Sequence, residues 1–468
     1  MSSASGWLGA LSRERARPAQ LREWPHAWWL AVGTVCFGAF MGQLDASIVT
    51  LTYRPLRAEF HASLAGVQWV SLSYLLALTA LLIPVGRLAD IHGRKLTYLY
   101  GFMVFTATSA VCGVAPSLGV LISSRVVQAV GAAMLQANSV ALVATSAPPH
   151  RMRAALGIQA GAQATGLALG PTVGGLLVST LGWRWVFGIN IPVGVLGVVA
   201  GIYLLPRTRR RAPTAALDRS GLLLLATATT SLLLGISVAS GLSLPGWVAL
   251  ALLGISAAAA VGFILHQRRA AAPLVQLALL RTRAVTVGLL GALCGYLVLF
   301  GPLVLIPVVL TDGGFSELHA GLVLTALPAG FALAAVGAER LLPRSWTDRT
   351  RATLGAAVSI VVLAGLLTAP PTTDWLVTLL ALLGVALGTF TPANNTLVMG
   401  AIPAQSAATG GGLVNMTRSL GTALGVALVT LALSLGSGHH ILDGLRTAVL
   451  VLAAAAALTL LSARLSVP

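Results

Sequence analysis

Long apolar stretches, each separated from the next by a short polar segment, fill the 468-residue chain almost from end to end. Reading the apolar runs of about 20 residues between charged or Pro/Gly-containing breaks predicts fourteen membrane-spanning helices. Their limits are 28–51, 66–89, 97–115, 118–144, 154–181, 185–205, 220–240, 246–266, 283–310, 318–339, 351–369, 375–399, 407–435 and 443–463. The sequence therefore predicts an all-α polytopic membrane protein.

The placement of positive charge gives these spans an orientation. Of the 29 Lys and Arg residues, 23 fall in the two terminal tails and in every second loop, four fall in the other loops, and two lie within spans. This bias predicts an even number of spans with both termini in the cytoplasm. The arginine-dominated, Ala/Gly-rich composition is typical of a high-GC bacterium, so we expect a multi-pass protein of the bacterial cell (inner) membrane.

Composition excludes several other classes of protein. Hydrophobic residues make up 57% and charged residues 9% of the chain, which is too little polar surface for a soluble domain of this length. The net charge of +17 lies along the cytoplasmic rim, where it meets anionic lipid headgroups, and we expect no nucleic-acid partner. The single lysine, Lys95, is preceded by Arg94, so no phosphate-binding Gly-Lys-Ser/Thr motif exists.

Cysteine and histidine usage does not indicate a metal or redox site. The three cysteines, Cys36, Cys112 and Cys294, fall in three different predicted spans without paired spacing. We therefore expect no metal, no cofactor other than a proton gradient, and no enzymatic activity.

An internal repeat divides the chain. A constant offset of 255 residues places the first span on the ninth and the sixth on the fourteenth. The matched positions include Ala65-Gly66 with Ala320-Gly321, Pro148 with Pro403, Gly157 with Gly412, Gly166 with Gly421, and Gly170 with Gly425. The predicted division is a cytoplasmic tail (1–27), a six-helix bundle (28–205), an inserted two-helix segment with cytoplasmic linkers (206–282) and a second six-helix bundle (283–468). Parallel halves of this kind are typical of transporters with a site between them at the bilayer midplane.

Two charges inside the predicted spans are candidates for ion coupling. Asp45 is the only carboxylate well inside the membrane, and a charge at the centre of a spanning helix costs about 2.5–3.5 kcal/mol on insertion scales. Arg125 lies at a comparable depth in the fourth span. If the two helices pack together, the arginine favours the charged carboxylate while the apolar surroundings disfavour it, which suits a group that gains and loses a proton. A permanent salt bridge is the alternative.

Other polar and aromatic residues within the spans are candidates for a substrate cavity. They are Tyr74, Gln128, Gln136, Gln159, Gln163, Tyr296, Asn394, Asn395, Asn415 and Arg418. Intramembrane amides also serve as contacts between helices, and the aromatic residues can simply pack. With one interior carboxylate against two arginines, we expect cargo that is neutral, zwitterionic, anionic or at most singly cationic.

Three motifs resemble those of a known family. The loop after the second span reads Gly86-Arg-Leu-Ala-Asp90-Ile-His-Gly93-Arg94-Lys95, the fourth span contains Arg125-Val-Val-Gln128-Ala-Val-Gly131, and the fifth contains Gly166-Leu-Ala-Leu-Gly170-Pro171-Thr-Val-Gly174-Gly175. As a set they resemble the major facilitator superfamily. Leu44-Asp45-Ala-Ser-Ile-Val and Trp183-Arg-Trp-Val-Phe-Gly-Ile-Asn190-Ile-Pro192 are similar to its fourteen-span drug:proton antiporter branch.

The resemblance implies a role for each motif. Gly86, Asp90, Gly93 and Arg94 would form a turn and a latch that holds the cytoplasmic side shut; an ordinary positively charged loop is the alternative. The antiporter motif, Gly166, Gly170, Pro171, Gly174 and Gly175, would pack helices closely and limit ion leak, or serve as a packing seam only. The chain departs from the pattern at Ile91, at Ala129 and over 50–55, where the outer end of the transport pathway would lie.

The function predicted from the residues and the resemblance together is proton-coupled export of an amphipathic small molecule, a drug or secondary metabolite, by alternating access. The expected partners are that molecule, protons and membrane lipids, and the expected state is a monomer. A proton-coupled symporter or a lipid exporter on the same scaffold is the main alternative. A non-transporting membrane sensor is the alternative from another class.

Overall fold

A computed structural model describes residues 17–18, 24, 26–148, 151–207, 218–240, 242, 244–270, 273–275, 277–341, 343, 345–368, 372–402, 407–436 and 441–465. Over these residues the regular structure is entirely helical, so the predicted all-α class is confirmed. The first half contains α1 (Ala27–Ile48), α2 (Tyr53–Phe60), α3 (Leu64–Val67), α4 (Trp69–His92), α5 (Arg94–Gly113), α6 (Leu118–Ser146), α7 (Met152–Thr180), α8 (Arg184–Gly188) and α9 (Asn190–Leu204). The remainder contains α10 (Arg219–Ala239), α11 (Gly246–Arg269), α12 (Arg283–Asp312), α13 (Glu317–Leu341), α14 (Asp348–Thr368), α15 (Thr373–Gly400), α16 (Ala407–Gly436) and α17 (Ile441–Leu465).

Thirteen helical stretches in the described part of the chain are long and apolar enough to cross a membrane. The fifth predicted span, 154–181, corresponds to α7, which has 29 residues but is not among the thirteen. Its sequence is rich in glycine and carries Gln159 and Gln163, which lower its mean hydropathy. The protein is thus a multi-pass helical membrane protein, and the count of fourteen spans stays a prediction.

The first helix does not end where the apolar run suggests. After α1 the chain makes a 3₁₀ turn over Val49–Thr52 and continues directly into α2. The hydroxyl of Thr50 donates to the carbonyl of Ser47, and that of Thr52 donates to the carbonyl of Val49. Pro55 stands in the first turn of α2, where an amide N–H has no helical partner to lose. The residues at 50–55 that depart from the family pattern therefore add a further helix at the outer end of α1.

Helix pairing follows the internal repeat. Within the first half, α1 packs on α7, α4 on α6, and α5 on α6; within the second, α12 packs on α16, α13 on α15, and α14 on α15. An offset of 255 residues converts each pair of the first set into a pair of the second. The two sets meet through α7 with α13 and through α4 with α16, which are likewise related by the repeat.

The inserted helices α10 and α11 pack on each other, and α10 also contacts α4 and α16. The amide of Gln68 donates to the hydroxyl of Ser237 at 3.1 Å, which fixes α10 beside the start of α4. At the other end, the carboxylate of Asp218 accepts from the backbone N–H of Gly221 and from the side chains of His266 and Gln267. This carboxylate caps α10 and holds it to the end of α11.

The glycines of the antiporter motif lie at close helix contacts. A Cβ atom at Gly170 would approach the Cβ of Ser47 to 2.8 Å and the backbone nitrogen of Ile48 to 3.3 Å, both on α1. A Cβ atom at Gly175 would lie 2.9 Å from the Cα of Leu318, on α13. Because α7 presents glycine on both sides, it packs tightly on α1 and on the other half at the same time. Its role in limiting ion leak stays a prediction.

The turn between α4 and α5 depends on one glycine. Gly93 has φ of +105°, a conformation that L side chains rarely adopt, and its N–H donates to the carbonyl of Ala89. Gly86 was expected to contribute to this turn, but it lies within α4. A Cβ atom added at Gly86 would lie 3.8 Å from the Cβ of Ala137, an ordinary van der Waals distance. Arg94 begins α5, while the side chain of Asp90 lies outside the described residues, so the latch stays a prediction.

The tight seam between α7 and α1 generates a stability prediction. Gly170→Ala should lower the free energy of unfolding by about 1–3 kcal/mol, the usual effect of overpacking, because the added methyl group meets Ser47 and Ile48. The matched control is Gly161→Ala on the same helix, where a Cβ atom meets nothing within 4 Å. Thermal unfolding of the purified variants measures the difference. Equal melting temperatures for the two variants would contradict the close contact.

Candidate functional site: a buried ion pair beside a central cavity

Asp45 and Arg125 meet in the interior of the first half. Arg125 Nη1 on α6 donates to Asp45 Oδ2 on α1 at 2.6 Å, and the two side chains are 1% and 0% exposed. The Nε of the same guanidinium donates to the carbonyl of Val70 on α4 at 2.9 Å. The ring of Tyr74, one turn further along α4, lies 4.1 Å from the guanidinium carbon. The ion pair thus ties three helices together.

Further hydrogen bonds satisfy the second oxygen of the carboxylate. Asp45 Oδ1 accepts from the side-chain amide of Asn190 at 2.9 Å and, more weakly, from Gln128 Nε2 at 3.4 Å. Gln128 in turn accepts from Arg125 Nη1 and donates to the hydroxyl of Ser109 on α5. Arg125, Asn190 and Gln128 all donate to Asp45, so both oxygens of the buried carboxylate have hydrogen-bond partners.

Gln128 therefore belongs to the ion-pair network and does not line the cavity, contrary to the prediction. It lies three residues after Arg125, one helical turn away, so it faces the same side of α6 as the arginine.

A central cavity of about 640 Å³ lies between the two halves. Eight of the ten predicted cavity residues line it. They are Tyr74, Gln136, Gln159, Gln163, Tyr296, Asn395, Asn415 and Arg418. Gly42, Gln43 and Ala46 contribute the wall on α1, so the cavity begins within one helical turn of Asp45. Tyr74 lies in the cavity wall and also against Arg125, and it separates the ion pair from the cavity.

Asn394 is the other exception among the predicted cavity residues. Its side-chain amide donates to the carbonyl of Gly288 at 2.9 Å and holds α15 against α12. The next residue, Asn395, lines the cavity, because the rotation of α15 turns Asn395 and not Asn394 toward that side.

The two halves touch at the ends that the arginine distribution predicts to be outside. Arg54 of α2 pairs with Glu317 at 3.2 Å, and Arg57 pairs with Asp312 at 3.9 Å. Nearby, the hydroxyls of Thr172 and Thr325 share a short hydrogen bond between α7 and α13. The cavity is therefore closed on this side by contacts between the halves.

Sequence reasoning missed several residues of the site. Asn190 was quoted only as part of a motif, and Ser109 was not singled out, because a hydrogen bond across helices leaves no periodic signal in either of them. Gln43, Ser419 and Thr422 also line the cavity. Ser419 and Thr422 lie four residues after Asn415 and Arg418, so their spacing would have placed these two on the same helix face.

Two matched helical bundles with a central polar cavity and a buried ion pair define the protein as a polytopic membrane transporter. The sequence model of the Major Facilitator Superfamily matches residues 35–426, so the chain belongs to that superfamily. This membership makes the chain a transporter and not an enzyme.

Several known proteins are similar to this chain over most of their length. The riboflavin transporter RibZ of Clostridioides difficile (strain 630) is 31% identical over 411 residues, which cover 85% of this chain and 87% of RibZ. The tetracenomycin C resistance and export protein of Streptomyces glaucescens is 31% identical over 407 residues, covering 86% and 75% of the two chains. The crystal structure of the peptide transporter POT in complex with sulfate has the same fold, with a TM-score of 0.67 and 16% identity over 92% of this chain and 93% of that one.

The buried pair generates a prediction about stability. Arg125→Gln should lower the free energy of unfolding by about 3–5 kcal/mol, because it leaves a buried carboxylate without its counter-charge. The double variant Asp45→Asn/Arg125→Gln should recover a large part of this loss, since neither charge then remains. Thermal unfolding of the purified proteins tests the expectation. A double variant that is less stable than Arg125→Gln alone would contradict it.

Proposed function

We propose that this transporter exports an amphipathic small molecule in exchange for protons, by alternating access. The observation that carries the proposal is the fully buried Asp45–Arg125 pair, which lies one helical turn from the central cavity and shares Tyr74 with it. A charged pair in the membrane is costly, and a carboxylate in such a pair can be neutralised by one proton.

The geometry supports a specific coupling step. Asp45 is inaccessible in this conformation, so a proton reaches it only when the closed end between the halves opens. Protonation removes the charge that holds Arg125 and weakens the contact of α1 with α6. The proton is released, and the pair forms again, when the cavity opens to the cytoplasm.

The contacts that close the outer end are suited to reversible opening. Arg54–Glu317 and Arg57–Asp312 are partly exposed pairs, and each contributes about 0–1 kcal/mol in such a setting. These ion pairs therefore add little to the cost of separating the halves, which also includes the close packing of α7 on α13 at Gly175. The proposed cytoplasmic latch around Asp90 would hold the other end shut in the opposite conformation.

The relatives support the direction and the setting. One is named as a resistance and export protein for tetracenomycin C, so export of a secondary metabolite is compatible with this scaffold. We propose that the chain works as a monomer in the bacterial cell membrane with both termini in the cytoplasm. Proton-coupled symport on the same scaffold is the second candidate, and the name of the relative RibZ, a riboflavin transporter, gives no direction of transport. The direction of flux relative to an imposed proton gradient distinguishes the two.

Neutralising Asp45 should separate coupling from binding. Asp45→Asn should abolish proton-driven accumulation of cargo in inverted vesicles, because the variant offers no site for the exchanged proton. Exchange of cargo between its two sides without a gradient should continue. The test compound is one against which the wild-type chain protects cells that lack their own exporters.

Asp45→Glu, which keeps the carboxylate, is the matched control and should retain some uphill transport. Membrane abundance of the variants is measured in parallel. Unchanged uphill transport by Asp45→Asn would remove Asp45 as the coupling site.

A further inference from the structure

The second intramembrane arginine, Arg418, lacks the carboxylate that Arg125 has. It lies on α16, half-buried in the wall of the central cavity. Its Nη1 makes one long hydrogen bond to the side-chain oxygen of Asn415, at 3.5 Å. Its Nε is buried and has no hydrogen-bond partner among the described residues. A guanidinium carries five N–H donors and stays charged at any physiological pH, so the one hydrogen bond to Asn415 leaves most of the donor capacity of Arg418 unused among the described residues.

The rest of the cavity wall does not neutralise this charge. Among the described residues that line the cavity, Arg418 is the only charged one; the others are amides, hydroxyls, aromatic rings and aliphatic side chains. Asp45 is 0% exposed and is already paired with Arg125. The cavity therefore presents a positive charge that no described lining residue neutralises, and this charge attracts an opposite charge on a ligand.

The surroundings of Arg418 add an apolar surface and free acceptors. The rings of Tyr296 and Phe300 stack at an interplanar angle of 16°, and the guanidinium carbon lies 5.2 Å from the Tyr296 ring. The buried side-chain oxygens of Gln136 and Asn395 also lack protein partners among the described residues. A ligand with one anionic group and an aromatic body would match the charge of Arg418 and the apolar surface of the two rings.

The internal repeat indicates that the charge is a property of one half only. The offset of 255 residues places Gln163 on Arg418, and both side chains line the cavity. Glutamine is therefore the residue that the same fold accommodates at the equivalent position of the other half, and Arg418→Gln is a substitution with a structural precedent in this chain.

We infer that the cargo is an amphipathic organic anion, whose oxygen anion is bound by Arg418 and whose apolar body lies against Tyr296 and Phe300. The inference rests on the proposed function, in which this cavity carries the cargo. A volume of about 640 Å³ is within the range of pockets that hold drug-sized ligands. The anionic group of the cargo thus supplies the negative charge that Arg418 lacks in the protein.

The test compares two probes of the same shape, naphthalene-2-carboxylate and naphthalene-2-carboxamide. Their equilibrium binding to the purified protein in lipid nanodiscs is measured by calorimetry at neutral pH, without any gradient. Wild-type protein should bind the carboxylate at least about 10-fold more tightly than the carboxamide, the usual effect of a charge-assisted hydrogen bond. Arg418→Gln should abolish the preference.

Asn415→Asp is the second variant, and it keeps the arginine. The new carboxylate stands where the Asn415 oxygen contacts Arg418, so it should compete with the probe and reduce carboxylate binding by about 10-fold or more. Carboxamide binding should change little. Arg446→Gln, which neutralises an exposed arginine on α17, is the matched control and should behave as wild type.

Equal binding of the two probes, no measurable carboxylate binding at millimolar concentration, or a preference that survives Arg418→Gln would each overturn the inference. The preference should also persist in Asp45→Asn, because that variant leaves Arg418 unchanged. A lost probe preference together with proton coupling that still depends on Asp45 would refute the anionic cargo alone. A retained preference with coupling that is independent of Asp45 would refute the proposed coupling alone.

Discussion

The rest of the structure depends on the contact between Asp45 and Arg125. Two charges without solvent contact are stable only while they hold each other, and removal of one partner of such a pair costs about 3–5 kcal/mol. The pair fixes α1 against α6, and its further hydrogen bonds reach α4, α5 and α9 through Val70, Ser109 and Asn190. Under the proposed function, a proton on Asp45 would therefore change contacts that involve five helices of the first half.

A continuous set of close contacts leads from this pair to the other half. Ser47, two residues after Asp45, lies against Gly170 of α7, and the opposite side of α7 lies against α13 at Gly175. Because glycine leaves no flexible side chain at either contact, a shift of α1 cannot be absorbed locally and moves the backbone of α7. The antiporter motif thus lies between the site proposed to take up the proton and the interface between the two halves.

The two halves share one fold and differ in charge. The first half contains a complete ion pair, sealed behind Tyr74, while the second half presents Arg418 to the cavity without a counter-charge. The helix pairs of the two halves are related by the repeat, but the charged residues inside them are not. Under the proposed function, this difference separates two tasks: the first half would bind the proton, and the second half would supply the charge that selects the cargo.

The fold was accessible from sequence because lipid imposes long apolar runs and because arginine placement and the 255-residue repeat constrain how they are arranged. The pairing of Asp45 with Arg125 was also accessible, since an unpaired charge in the membrane has a high free-energy cost.

Finer features of the site could not be predicted from the sequence. Gly86 lies within a helix, and Gly93 makes the turn. The motif alone does not show which of its two glycines has that role. The choice between Asn394 and Asn395 depends on the rotation of α15, which adjacent identical residues do not reveal. The role of Asn190 required the three-dimensional packing of α9 on α1.

Infrared spectroscopy tests most directly whether Asp45 carries the coupled proton. Purified transporter in lipid is titrated with acid, and the carbonyl stretching band of protonated carboxyl groups is followed in wild type and in Asp45→Asn. We expect the wild-type protein to show a component of this band that titrates and that arises from a non-aqueous environment, and we expect Asp45→Asn to lack it. An identical titration in the two proteins would contradict the role of Asp45 as the site of the coupled proton.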